Sequence, residues 1–348
     1  TAYDIMPILV GSEMCIRDSF YWMARNHDAI VRPEPELIES IESSNAWVSK
    51  DQWKKEVPRP WIKRGVGLAS GVKGIGLAYL ADGGSVSIAI TPEGKFRLGI
   101  GLTEMGEGIS TSFVQMAASA LRSPPENIEL LPVDTNQVLE CGGADASRST
   151  ITGGNAILEA APLMEKLLKS KAAERLEVDD IDLELYEGTV RSKSVPERAI
   201  SYAMIGQAIH EDDDLREVKA RYDWPQDTTS LPDTKELPHL LNTYATHLAR
   251  VEVDTLTGRV RLLNLVTAQD VGQVINPQGL EGQSEGGSLY SAGIGMWEDT
   301  VLTDTGIMLT PNFTTYLIGT ALDAPEIETL MIESYEPCLL YTSPSPRD

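Results

Sequence analysis

Three glycine-rich segments hold the residue types that could handle a polar ligand. Thr103-Glu-Met-Gly-Glu-Gly108 stands between an alternating stretch and a helical one. Backbone N–H groups there are the unpaired donors of a helix N-terminus, able to receive an anion or a polar cofactor edge. Cys141-Gly-Gly-Ala-Asp-Ala-Ser-Arg-Ser-Thr150 also runs into a helical stretch, and Gly153-Gly154 permit close backbone approach. Gly65-Val-Gly-Leu-Ala-Ser-Gly71 lacks the spacing and framing strand of a dinucleotide fingerprint and is expected to form a tight turn. Two such loops on consecutive strand-to-helix connections point to one ligand at the carboxyl ends of the strands. The histidines (His27, His210, His239, His247) do not cluster at metal-ligand spacing, so no protein-ligated metal is expected. Cys15, Cys141 and Cys338 are too far apart for a zinc knuckle or a redox pair, and Cys141 reads as a small, semi-buried hydrophobe.

The elements that must position these loops alternate between strand and helix. Val86, Ile88 and Ile90, a turn at Pro92-Glu93-Gly94, then Phe96, Leu98 and Ile100 predict a hairpin with one buried face. Ile109, Phe113, Met116, Ala117 and Ala120 predict a helix over 107–121, and Ile128 and Leu130 a further strand. Ile157, Ala161, Met164 and Leu168 line a second helix, with Pro162 expected to kink it. Residues 244–254 and 260–266 flank Thr255-Leu-Thr-Gly258 as strand, turn and strand. Asn276-Pro277 then opens a helical stretch reaching about residue 297, with Asn as N-cap and Pro at the first helical position. The pattern is α/β with mixed sheets and packed helices. It divides as a first α/β subdomain at 20–172, an acidic and less regular insertion at 173–240, and a second α/β subdomain at 241–337. Residues 1–19 and 338–348 show no periodicity. GSEMCIRDS and CLLYTSPSPRD resemble the translated non-native ends of reading frames assembled from environmental DNA, and both ends are set aside.

Composition narrows the function classes. The chain has 348 residues, 42% hydrophobic, with Lys+Arg 29 against Asp+Glu 52 and a formal net charge of -23. Nucleic acid is a poor partner for such a chain, because counterion release needs a basic footprint. No apolar run approaches the roughly 20 residues of a membrane span. The expected location is cytoplasmic.

Taken together, the motifs resemble those of the xanthine dehydrogenase and aldehyde oxidase family, in its molybdenum-binding large subunit. They are TEMGEG with Gln115 after it, Asp134-Thr135, SRST before GGNA, Asp270-Val-Gly272 and Ile275-Asn-Pro277. Glu281-Gly-Gln-Ser-Glu-Gly-Gly287, Asn312-Phe-Thr-Thr-Tyr316 and Asp323-Ala-Pro325 follow in order. The resemblance runs from about residue 25 to 337.

That resemblance implies a molybdopterin-binding fold, incomplete here, with Met105, Gly106, Glu107 and Gly108 facing the cofactor. Ala146, Ser147, Arg148 and Ser149 would pass close to the metal, and Gln283 would reach the pterin. Glu107 departs from the family's glutamine. A carboxylate accepts hydrogen bonds and donates one only when protonated, the form that burial beside negative charge favours. Structural alternatives stay open: Glu107 as a first-turn acid on the helix dipole, Ser149 or Thr150 as a plain N-cap, Gln283 on a helix whose glycines serve packing. The implied reaction is oxidative hydroxylation of a purine or other N-heteroaromatic with oxygen from water. An aldehyde is the alternative substrate, and a non-catalytic scaffold fragment is the alternative outside enzymology. Iron–sulfur clusters and FAD would reside on partner subunits or domains. Family members follow residues 332–336 with a glycine-rich stretch whose last glutamate is the general base. Here Glu336-Pro337 runs into CLLYTSPSPRD, so no catalytic base is assigned, and this segment alone is expected to be inactive. Glu281, Glu285 and Glu298 do not occupy the matching position.

Overall fold

The computed structural model describes residues 35–76, 83–212, 215–223 and 241–333. The expected non-native ends lie outside them. In chain order the elements begin with α1 (Pro35–Ser43), α2 (Asn45–Val48), α3 (Lys50–Lys55) and β1 (Ile62–Ile75). Next come β2 (Gly83–Ile90), β3 (Phe96–Ile100), α4 (Ile109–Ala120), β4 (Ile128–Leu130) and α5 (Ser149–Leu176). After these follow β5 (Leu183–Tyr186), β6 (Thr189–Ser192), β7 (Ala199–Ser201), α6 (Tyr202–Glu211) and β8 (Glu217–Asp223). The last are β9 (Leu241–Asp254), β10 (Val260–Asp270), α7 (Pro277–Met296) and β11 (Glu326–Ile332). They fall into two compact units, one from the described residues of 35–73 and 243–333, the other from those between them.

The unit that carries the two ligand-type loops is built on the sheet β4-β3-β2-β8. The hairpin predicted from alternation forms in register: Val86 pairs with Ile100, Ile88 with Leu98 and Ile90 with Phe96. Gly94 closes its turn at φ 75°, where an added Cβ would lie 2.2 Å from the Ala203 nitrogen. β8 pairs antiparallel with β2, and β4 runs parallel to β3. Helices α4 and α5 bury Phe113, Ile157, Met164 and Leu168 with Val86, Ile88, Leu98 and Ile100 in one core. Gly153 and Gly154 serve that packing. A Cβ at Gly153 would meet the Phe113 ring at 2.5 Å, and one at Gly154 the Met116 sulfur at 2.9 Å.

Residues 180–223, expected to be less regular, form the antiparallel sheet β5-β6-β7, helix α6 and strand β8. The strands of that small sheet are three or four residues long, too short for a period of two to stand out among acidic side chains.

In the other unit the sheet order is β1-β9-β10-β11. β9 and β10 form the expected hairpin around Gly258 (φ 75°), and β11 joins β10 in parallel. Leu37, Ile41 and Ala46 from the short helices pack on Leu248, Val266 and Ala268. The guanidinium groups of Arg64 (4.9 Å) and Arg250 (4.8 Å) both lie over the Trp53 ring, cation–π contacts that hold α3 to the sheet. The tight turn expected at Gly65–Gly71 is absent: the segment is extended within β1. Its glycines leave a strand with little side chain to pack, and Gly67 and Gly71 border open space.

Candidate cofactor site

Loop 101–108 leaves β3 and enters α4, which starts at Ile109, two residues later than its periodicity predicts. Gly108 is the N-cap in the left-handed region (φ 82°), and Gly106 has φ 105°. The donors expected to be open there are largely taken by the chain's own carboxylates. Glu104 accepts from the backbone N–H groups of Gly106, Gly108 and Ser110, each at 2.9 Å. The bond from Ser110, reinforced by those from Gly108 and Gly106, holds its carboxyl well below the usual range, at about 2. Glu107 accepts from the Met105 N–H at 2.7 Å, so it serves its own loop as an acceptor. The Met105 side chain stands exposed. Sequence reasoning missed Glu104, although an acid two to six residues ahead of a glycine-rich helix start was a usable signal.

Loop 141–149 is fixed by two side chains. The Cys141 thiol is buried, as expected, and it accepts from Ser85 N–H and Gly101 N–H, both at 3.3 Å, while donating to the Ser85 carbonyl. It therefore ties the first residues of both loops to β2. Arg148 is 4% exposed and donates to the carbonyls of Gly83, Cys141 and Gly143. Between these anchors Ala146 (φ 47°) and Ser147 (φ 55°) adopt left-handed backbone that costs a non-glycine residue energy, the kind of strain concentrated at functional sites. The Ala146 carbonyl accepts from Gly76 N–H at 2.9 Å. Ser147 is exposed and Ser149 half-buried. The alternative left open for Ser149 or Thr150, a plain N-cap, is not what forms: the N-cap is Arg148, without a side-chain cap. Arg148 thus acts through its guanidinium as a clamp that joins two carbonyls of its own loop to that of Gly83, remote in sequence.

Other motif residues prove to be turn and cap makers. Asp134 accepts from Asn136 N–H at 2.9 Å and from the Gln137 side chain, bonds that lower its pKa. Asp270 accepts from Gly272 N–H at 3.2 Å. Asn276 caps α7 by accepting from Gly279 N–H at 3.1 Å, with Pro277 at the first helical position, as predicted. Tyr316 donates to Glu298 at 2.8 Å. Gln283 belongs to the other unit, on an exposed stretch of α7 beside Gly282 and Gly286, which have nothing within 4 Å of an added Cβ. Among the described residues no group of three His, Cys, Asp or Glu could hold a metal ion.

Residues 40–325 match the family model of the molybdopterin cofactor-binding domain. The chain belongs to that family. This molybdopterin cofactor-binding chain is 28% identical over 301 residues to the 6-hydroxypseudooxynicotine dehydrogenase complex subunit gamma of Paenarthrobacter nicotinovorans, covering 85% of this chain and 36% of that one. It is 30% identical over 289 residues to a probable xanthine dehydrogenase subunit of Bacillus subtilis (strain 168), covering 82% and 37%. The solved quinoline 2-oxidoreductase from Pseudomonas putida 86 shares its α/β fold with a TM-score of 0.75 at 26% identity, over 87% of this chain and 39% of that one. The chain therefore spans a little over a third of the length of these relatives.

The donor set suits a pterin. The rim of that ring presents both N–H and carbonyl groups, and its phosphate is anionic. Ser147 offers a hydroxyl able to donate and accept, and Gly106 and Gly108 leave open space where side chains would stand. Gln115 Oε1, in the helix after the first loop, is buried without a hydrogen-bond partner, the situation a ligand N–H would relieve. Glu104 and Glu107 make loop 103–108 a better neighbour for the N–H rim than for the phosphate.

Proposed function

We propose that the chain is the molybdenum-binding portion of a hydroxylase large subunit that oxidatively hydroxylates a purine or other N-heteroaromatic with oxygen from water. The observation that carries this reading is the pair of strand-to-helix loops joined at Cys141, with strained Ala146–Ser147 held up by Arg148. Three relatives named for an oxynicotine derivative, xanthine and quinoline support a heteroaromatic, while others are named for carbon monoxide and aldehydes. The molybdopterin, when bound, supplies the redox chemistry, taking two electrons from the substrate carbon. Ser147 and Ser149 would hydrogen-bond it, and Gly106 and Gly108 would let it approach the backbone. Met105, Glu107 and Ala146 would complete the surface, with Arg148 positioning the second loop. Electrons would leave to an iron–sulfur partner subunit and from there to FAD; relatives named as a subunit of a dehydrogenase complex and as the large subunit of a hydroxylase support partner subunits.

No described carboxylate is assigned as the general base. Because the chain spans about a third of its relatives, the 348-residue polypeptide by itself should hold no cofactor and turn over neither purines nor aldehydes. A positioned base alone is worth about 10²–10⁴-fold in rate. Metal analysis and a dye-reduction assay on this polypeptide, and on the whole large subunit with its iron–sulfur partner, test the reading. Molybdenum and heteroaromatic-dependent dye reduction are expected in the second preparation alone. Turnover in the isolated polypeptide, or a whole subunit that binds molybdenum but oxidises aldehydes and no heteroaromatic, contradicts it.

A further inference from the structure

The unit that carries the two loops also holds a cleft on the later turns of α5. It has a volume of about 580 Å³ and lies between α5, the end of α6 and the start of β8. That volume falls within the range of small-molecule sites, about 300–1,000 Å³. Lys166, on its edge, is 17 residues along α5 from Ser149, roughly 25 Å at the helical rise. The cleft is therefore separate from the candidate cofactor loops. Its apolar lining is aliphatic: Leu163 and Leu167 from α5, Ile209 from α6, then Leu215 and Val218. Ile209 and Val218 are buried, whereas Leu163 and Leu215 stay 46% and 71% exposed, apolar surface that an occupant would take out of water. Among the described residues no aromatic side chain lines it, so a flat ring would find no stacking partner.

Three lysines line the same cleft, in a chain whose Asp+Glu outnumber its Lys+Arg by 52 to 29. Two of them are matched. Lys171, buried, pairs with Asp212 at 2.6 Å and Glu174 at 3.2 Å, and Arg175 shares Asp212 at 3.2 Å. Lys219 pairs with Glu217 at 3.2 Å. Lys166 forms no hydrogen bond or ion pair with another described residue. Among the described residues around the cleft, four cations (counting Arg175) thus meet three carboxylates (counting Asp212). One unmatched ammonium suits one carboxylate, since each further negative charge would need a cation already committed to a neighbour. Ser170, one turn beyond Lys166 on the same helix face, adds a hydroxyl that can donate.

We propose that this cleft binds an aliphatic monocarboxylate, with its chain on the leucine, isoleucine and valine lining and its carboxylate held by Lys166 and Ser170. Apolar walls with a few placed polar groups are how small-ligand sites combine affinity with orientation. The site stands apart from the oxidation of a heteroaromatic and does not depend on it.

The test titrates octanoate into the 348-residue chain and into the whole large subunit by isothermal calorimetry. One saturating site per chain is expected in both. Octan-1-ol, which keeps the chain and lacks the charge, should bind at least tenfold more weakly, as should acetate, which keeps the charge and lacks the chain. Lys166→Glu should weaken octanoate at least tenfold, Lys166→Arg should leave it within threefold, and Ser170→Trp, which fills the cleft, should remove binding. Circular dichroism should match across these variants, because both replaced side chains are exposed. The comparison of the three ligands needs only the wild-type protein, so it decides the matter even where a variant fails to fold. Absence of a saturable octanoate site overturns the proposal, as does octan-1-ol binding as tightly as octanoate. Octanoate binding indifferent to Lys166→Glu and Ser170→Trp overturns it too. Binding present in the 348-residue chain and lost in the whole subunit would give the cleft to a neighbouring stretch of protein, and overturns it as well. A whole subunit without molybdenum or hydroxylase turnover would count against the proposed function and leave this site standing.

Discussion

At residue scale the candidate site is held by three side chains. Arg148 places a planar fork of donors among three carbonyls, one of them 65 residues away in sequence. Arg148→Ala should destabilise the chain by about 3 kcal/mol, since each buried carbonyl left without a partner costs roughly 1–3 kcal/mol and such losses are not additive. Arg148→Lys should recover part of that, because an ammonium cannot reproduce the fork. Urea unfolding measures both, and a stability loss below about 1 kcal/mol in the alanine variant would contradict the clamp. Glu104 gives a pH signature. Its folded pKa, about 2, lies below the ordinary value of 4.5, so its contribution is fully present above about pH 4.5 and is lost as pH falls toward 2. Screening in this exposed loop keeps the effect near 1 kcal/mol or less. Glu104→Gln should flatten the acid limb of the stability curve between pH 4.5 and 2. Amides of Gly106, Gly108 and Ser110 should exchange faster in that variant at neutral pH. An unchanged acid limb and unchanged exchange would remove Glu104 from the loop's support.

At the scale of elements, two glycine settings make opposite predictions. Gly153 meets the Phe113 ring, so Gly153→Val should cost about 1–3 kcal/mol through overpacking. Gly282 meets nothing, so Gly282→Ala should stabilise the isolated chain by up to about 1 kcal/mol and raise its melting temperature. Thermal melts of the two variants that shift in the same direction would refute the assignment of one glycine to close packing and the other to open space. The β2–β3 hairpin was legible because period-two alternation and Pro92–Gly94 agree, and the start of α7 because Asn276-Pro277 is cap chemistry written locally. The 14-residue β1 was not, because its glycines carry no alternation. Nor were β5–β7, whose strands are shorter than the pattern they would have to show. The same division holds for the site. The motifs marked both loops and Gln283, but the roles of Cys141 and Arg148 depend on backbone groups at Ser85, Gly101 and Gly83 that no local spacing reveals, whereas the signal for Glu104 was local.

For the whole molecule, the proposed function makes the unit that carries the two loops one wall of a pterin site, with Gly106–Gly108 and Ala146–Ser149 meeting the cofactor. The anomalous signal of molybdenum in crystals of the complete, cofactor-loaded large subunit locates the metal without reference to any assumed contact. The proposed function predicts a single molybdenum peak beside the loop 146–149. A molybdenum peak more than about four helical turns of distance (on the order of 20 Å) from Ser147 would contradict it.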